Sequence, residues 1–277
     1  MQTIVKHTDQ WGRVLWITTD AAELGIALDF GIRIVHLSCP GMENLYYVQN
    51  NDLSDGFAKD NGWRLYGGHR MWLAPESAQS YSPENNSVEY SLTENAVCLK
   101  QAVDPALNIV KELEINFAAD GSMEVIHKIT NCSDSTITGA SWGINTLDAG
   151  GTAEIAFSCG TKGGYNPKRT VSLWSDTNLH DARLHFDRDR LTATHLPLPE
   201  YCKLGLYTAA GQAVFRNKGQ QFAITFDPAP MALYPDGGCN VELYMNSRFL
   251  ELETLGTLTE ILPGCSASHR EIWRLDK

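Results

Sequence analysis

Apolar and polar residues alternate with a period of two along most of this chain, and that pattern constrains its fold more than any other feature. Residues 107–117 give the cleanest case. Leu107, Ile109, Leu113, Ile115 and Phe117 share one face, while Asn108, Glu112, Glu114 and Asn116 share the other. Asp120-Gly121 is a hairpin signal, and the return run sets Met123, Val125, His127 and Ile129 on one face. His127 sits in an apolar row and reads as a satisfied core residue. Short β-rich runs at 3–7, 14–18, 25–29, 33–37 and 45–48 are separated by Gly, Asp and Asn. Residues 50–60 are polar and predict a loop or a short helix. Long helical periodicity and βαβ alternation are both missing. The expectation is an all-β chain, one domain over 1–277 built as a β-sandwich of large antiparallel sheets.

The 277 residues can bury an ample core. A net charge of −11, with no offsetting Lys/Arg cluster, would repel a phosphate backbone, so no nucleic acid partner is expected. No run reaches the length that spans a bilayer, and residues 1–12 lack a signal-like apolar segment. No membrane partner and a cytoplasmic location follow as expectations. The seven cysteines are far apart, odd in number and without a CxxC, which reads as reduced thiols packed in a core. Neither HExxH, a Walker-type loop, GxGxxG after a strand nor a zinc-like His/Cys spacing is present, so no metal or cofactor is expected.

Two stretches carry chemistry. In 240–273, NVELYMNSRFLELETLGTLTEILPGCSASHREIW, Val241, Leu243 and Met245 alternate with Glu242, Tyr244 and Asn246. A turn at 246–248 follows, and Leu250 and Leu252 then alternate with Glu251 and Glu253. Both carboxylates fall on one face of one strand. Close carboxylates repel, so one holds its proton more tightly, which suits acid–base work. A solvated outer sheet face accounts for the same pattern equally well. The second stretch, GWRLYGGHRMWLAPE at 62–76, packs rings and guanidinium groups around a Gly pair. Gly67-Gly68 permits a tight or left-handed turn that presents His69 and Arg70. Arg64, Arg70 and Trp72 here resemble a sugar-site lining, where rings stack on a pyranose and Arg donates to its hydroxyls. The plainer reading is a packed turn, with Trp63 and Trp72 in the core and Arg70 tied to a structural carboxylate.

Residues 139–143, GASWG, match the GxSxG pattern, but no helix follows, so the match is chance. The least regular region, 160–199, holds Trp174, His180, Asp181, Arg183, His185 and a charged run at 187–190 that reads as solvated. Trp174 with Arg183 could cover one side of a cleft.

FLELETLGTLTEILPGCSASHREIW resembles the C-terminal end of the galactose-mutarotase-like (aldose 1-epimerase-like) superfamily, with Leu252-Glu253-Thr254 on the segment that supplies the base and Pro263-Gly264 on the turn after it. GIRIVHLSCPGMENL resembles the early strands of that superfamily, and GGHRMW at 67–72 is similar to the Gly-Gly loop of its hexose-phosphate epimerase branch. The resemblance implies a β-supersandwich binding a monosaccharide or sugar derivative in a concave cleft. It also implies anomer interconversion by acid–base ring opening, without cofactor or metal. It puts Glu253 as the base and His69 with Arg64 or Arg70 as substrate-binding groups, and Glu251 alongside would raise the pKa of Glu253. The Asn-His acid motif of that superfamily is replaced here by Trp142-Gly143. Either His69, His180 or His185 substitutes as acid, or the protein is a non-catalytic carbohydrate-binding protein on the same scaffold. Trp142 would serve either as a stacking platform.

Overall fold

The computed structural model describes residues 1–49, 62–84, 86–157, 169–175 and 177–277. The loop or short helix expected at 50–60 lies outside the described residues, as does Cys159. In chain order, β1 (Gln2–Thr8), β2 (Gly12–Thr18), β3 (Glu23–Ala27), β4 (Arg33–Ser38) and β5 (Gly68–Ala74) pair antiparallel, each with the next. A second such run holds β6 (Glu89–Leu92), β7 (Ala96–Lys100), β8 (Ile109–Phe117) and β9 (Met123–Asn131). Then come β10 (Ile137–Asp148), β11 (Thr152–Ala156), β12 (Val171–Leu173), β13 (Leu184–Phe186), β14 (Arg190–Thr194) and β15 (Cys202–Leu206). β16 (Gln212–Asn217), β17 (Gln220–Thr225), β18 (Val241–Met245), β19 (Phe249–Leu255), β20 (Thr259–Ile261) and β21 (Ser266–Asp276) complete the series.

These strands build two antiparallel sheets. One runs β1-β2-β3-β4-β5-β10-β19-β18-β15-β12, with β20 paired to the start of β10. The other runs β13-β14-β11-β16-β17-β21-β9-β8-β7-β6. The all-β sandwich expected from the alternation is what forms. Its physical basis is visible in β9, where buried and half-buried residues alternate without a break. One apolar cluster joins the inner faces of the two sheets, with Met71, Leu147, Leu243 and Leu252 from the first and Leu113, Val125, Phe222 and Trp273 from the second. Among the described residues no helix is long and apolar enough to cross a membrane.

Two local expectations are corrected. The stretch expected as a loop after Gly67 is instead strand β5, because β10 pairs with it along its whole length. The Gly pair still has positive φ, +80° and +70°. A Cβ on Gly67 would lie 2.2 Å from the Tyr47 carbonyl oxygen, and one on Gly68 2.2 Å from that of Ile34. Glycine is required there by close backbone approach as well as by conformation. The cysteines do not all sit in a core. Cys39, Cys202 and Cys239 are buried, but Cys98, Cys132 and Cys265 are exposed free thiols. Cys98 occupies an outward position of the β7 alternation.

Polar groups also cross the sandwich interior. Asn145 Oδ1 accepts a hydrogen bond from Tyr46 Oη at 2.9 Å and lies 3.1 Å from His69 Nδ1, which must therefore carry the proton. His69 Nε2 is then the acceptor for His127 Nε2 at 2.9 Å. Alongside, Thr254 and Trp273 donate to the buried Glu271 carboxylate, and His269 Nε2 lies 3.3 Å from it. Burial above all holds His69 at about 3 and His127 at about 4, so both are neutral at ordinary pH. A separate buried trio pins the connection after β5. Glu84 lies 2.8 Å from Arg33 on β4 and 2.6 Å from Lys111 on β8, tying the two sheets together.

Two stability tests follow. Glu84→Gln leaves two buried cations without their carboxylate and should cost roughly 3–5 kcal/mol in urea unfolding. The histidines set an acid limit. The unfolded chain takes up their protons below about 6.5, whereas the folded chain resists until about 3 to 4. Their contribution to stability is therefore fully present above pH 6.5 and falls as pH drops toward 4, by up to about 1.4 kcal/mol per pH unit for each histidine. Raised carboxyls in the same fold act in the opposite sense, so the readout is a difference: relative to His127→Gln, the parent should lose unfolding free energy as pH falls from 6.5 to 4.5.

Candidate functional site

β10 is hydrogen-bonded on both sides, and its register decides which side chains meet on the face turned away from the core. Ile144 stands opposite Arg70 of β5 on one side and opposite Glu253 of β19 on the other. One step along, Trp142 stands opposite Trp72. The hairpin of β18 and β19 then sets Glu242 opposite Glu253 and Tyr244 opposite Glu251. Lys203 of β15 lies opposite Tyr244. Side chains two apart on each strand share this face, so acids, cations and rings collect in one patch.

Segments above the sheet turn the patch into a cavity of about 370 Å³, within the range of small-molecule sites. Trp63, Glu76, Tyr81, Trp174 and Tyr201 from those segments help line it. Eight of its sixteen lining residues are Trp, Tyr or Phe, so the cavity is rich in aromatic rings. Trp72 meets Trp142 and Tyr81 edge-on, with centroids 5.7 and 5.2 Å apart.

The charges are tightly disposed. Arg70 Nη1 donates to Glu251 Oε1 at 2.8 Å and to Thr146 Oγ1 at 2.9 Å, and its guanidinium lies 4.8 Å from the Trp72 ring. Lys203 Nζ lies 3.3 Å from Glu242 and 3.4 Å from Glu76, and 5.0 and 4.8 Å from the rings of Trp142 and Trp174. Glu253 is 1% exposed, lines the cavity, and receives no hydrogen bond at Oε2 from any described residue. Burial pushes its carboxyl up to about 7, against the pull of Lys203 and Arg70, with Glu251 and Glu76 adding to the rise. Burial, then the charge of Glu253, pushes Glu242 up to about 9. Burial works against the Lys203 ammonium, yet Glu253, Glu242 and Glu76 outweigh it and raise its pKa. The arrangement is a carboxyl poised to give or take a proton near neutrality, beside a fixed cation, in a ring-lined hollow. Among the described residues no set of three or more His, Cys, Asp or Glu is arranged to hold a metal ion.

Six of the residues singled out in the sequence line this cavity: Glu253, Glu251, Arg70, Trp72, Trp142 and Trp174. Three do not. His69 is next to Arg70, and the period of two sends it into the interior, to Asn145 and His127. The expected meeting of His69 with Glu253 does not form. Arg64 is half-buried between two lining residues without lining the cavity itself. Arg183 is buried elsewhere, 2.6 Å from Asp181 and donating to the Glu200 carbonyl at 2.9 Å. His180 and His185 are exposed, so among the described residues no histidine lines the cavity.

Lys203, Glu242, Glu76, Tyr81, Tyr201 and Tyr244 complete the site without having been singled out. For Glu242 and Tyr244 a signal existed. The turn at 246–248 fixes the register that puts them opposite Glu253 and Glu251. Nothing local distinguishes Lys203 or Tyr201, which reach the cavity only through sheet order.

No protein-family model and no curated protein matches the sequence. Solved structures do match it. A Synechocystis protein aligns over 100% of this chain and 99% of its own at 13% identity, TM-score 0.61. A candidate aldose 1-epimerase from Escherichia coli aligns over 95% and 98% at 12% identity, TM-score 0.57. A galactose mutarotase-like protein from Lactobacillus casei aligns over 95% and 100% at 12% identity, TM-score 0.59. At such identities the likeness establishes the fold, which is that of the galactose-mutarotase-like proteins.

The buried acid should be measurable as a stability cost. A carboxyl raised from 4.5 to about 7 in the fold contributes stability below 4.5 that is lost as pH rises through 7. Glu253→Gln should therefore unfold at higher urea than the parent at pH 8.5, by roughly 3 kcal/mol, with the gap closing at pH 4. Lys203→Met should move the Glu253 midpoint further up, read by carboxyl NMR titration.

Proposed function

We propose that the cavity binds an aldose ring and that Glu253 catalyses exchange between its α and β anomers. The observation that carries this reading is a buried, ring-walled carboxyl poised near neutral pH and open at Oε2. Trp72, Trp142 and Trp174 offer apolar faces to the C–H side of a pyranose, and Arg70 and Lys203 offer donors to its hydroxyls. Glu253 takes the proton of the anomeric hydroxyl as the bond from C1 to the ring oxygen breaks. The ring oxygen leaves as an alkoxide, and the Lys203 ammonium stabilises its charge. Rotation about the C1–C2 bond presents the other face of the aldehyde. Reclosure returns the proton from Glu253 to the new anomeric oxygen. A base near neutrality serves both directions equally, as an isomerisation requires. The fold shared with mutarotase-like proteins and a candidate aldose 1-epimerase supports the same reading.

A second reading is favoured by one specific observation, the absence of histidine from the cavity lining among the described residues. In it the protein binds a sugar without reacting it, and Trp142 acts as a stacking platform.

Magnetisation-transfer NMR on a panel of aldoses tests both. The parent should accelerate anomer exchange, Glu253→Gln should lose about a hundredfold or more, and Lys203→Met should lower kcat more than it raises KM. Equal rates for parent and Glu253→Gln would remove Glu253 from the mechanism. Quenching of tryptophan fluorescence by a sugar whose exchange is not accelerated would establish the binding reading instead.

A further inference from the structure

We infer that the sugar taken by this cavity carries an ammonium group next to its anomeric carbon, held by Glu253. The inference rests on the aldose-binding reading above and narrows its substrate class to 2-amino-2-deoxyaldoses.

Charge balance is the first ground. Glu76, Glu251 and Glu253 line the cavity, and Glu242 stands directly opposite Glu253 on β18. Only two cations, Arg70 and Lys203, line it among the described residues. Arg70 is held by Glu251 and Thr146, and Lys203 lies between Glu242 and Glu76. With Glu242 protonated, the site is balanced while Glu253 keeps its proton and has one carboxylate in excess once Glu253 ionises. An anionic substituent would meet that surplus, and a cationic one would relieve it.

Hydrogen bonding is the second and independent ground. Glu253 is 1% exposed, and no described residue donates to its Oε2. A buried carboxylate oxygen without a donor is costly to keep charged. A sugar hydroxyl would supply a hydrogen bond alone, whereas an ammonium supplies a hydrogen bond and the missing charge together. The walls suit a cation too. The rings of Trp142 and Trp174 already lie 5.0 and 4.8 Å from the Lys203 ammonium, and ring faces attract ammonium groups more strongly once water is displaced. With the anomeric hydroxyl at Glu253, a substituent on C2 is the one that comes within reach of the same carboxylate. An ammonium there favours the ionised form of Glu253, so its arrival expels the proton that the carboxyl otherwise keeps in part at neutral pH.

The test is isothermal titration calorimetry at pH 7 with glucosamine, galactosamine and mannosamine against glucose, galactose and mannose. At least one amino sugar should bind about tenfold more tightly than its parent. Its N-acetyl derivative, which has lost the charge, should lose the advantage. Titrations in two buffers of different ionisation enthalpy should reveal proton release with the amino sugar and none with the parent. In Glu253→Gln the ratio of amino sugar to parent affinity should fall to near one. Parents binding as tightly as their amino sugars in all three pairs would overturn this inference and leave the aldose-binding reading standing. Absence of binding by all six would remove both. An amine advantage that survives in Glu253→Gln would overturn the assignment to Glu253.

Discussion

The pairing of β10 with β5 on one side and β19 on the other is the constraint on which the rest of the site depends. Ile144 is the shared rung, with Arg70 and Glu253 on either hand. Because side chains alternate faces, this one register assigns every neighbouring residue to a side. Arg70, Trp72, Trp142, Glu251 and Glu253 go to the cavity. His69, Asn145 and Thr254 go to the interior network. A slip of one residue would exchange the two sets and leave neither chemistry intact.

The same sheet thus carries two polar assemblies of opposite character. Inside, each histidine that joins Asn145 or His127 is held neutral by burial, and Glu271 is held ionised by its donors. His69, His127 and Glu271 keep fixed protonation states across ordinary pH and belong to the architecture. Outside, Glu253 is held at about 7, where a proton is exchanged at little cost near neutrality, and Glu242 at about 9, where it keeps its proton. Burial drives both outcomes. It favours the neutral form of each group, which for imidazole means losing the proton and for carboxyl means keeping it. Glu271 escapes that rule because donors and neighbouring histidines surround it, whereas Glu253 has an oxygen with no donor.

A buried carboxyl beside other carboxylates is a poor choice for stability and a good one for proton transfer. The compensation is local. Lys203 lies against Glu242 and Glu76, and Arg70 against Glu251, so like charges are separated by opposite ones. The Glu84 trio, by contrast, sets one ionised carboxylate between two cations and joins the connection after β5 to both sheets.

The alternation at 107–117 and 123–129 made the sandwich legible, since a period of two with no helical stretch leaves little else to build. It also put Glu251 and Glu253 on one face and identified the rings of 62–76. It could not say that 68–74 is a strand, because that stretch is fixed by partners far away in sequence, and a loop that presents His69 and Arg70 together is locally just as acceptable. Strand identity is what then divided them. Lys203 looked ordinary for the same reason. Its position opposite Tyr244, one strand beyond Glu253, comes from the order β19-β18-β15, which no local pattern encodes. Composition and periodicity determined which residues could be buried and on which alternating face. Only sheet order and register decided which buried charges meet, because hydrogen bonding between strands distant in the chain, and not any property of a single segment, sets those distances.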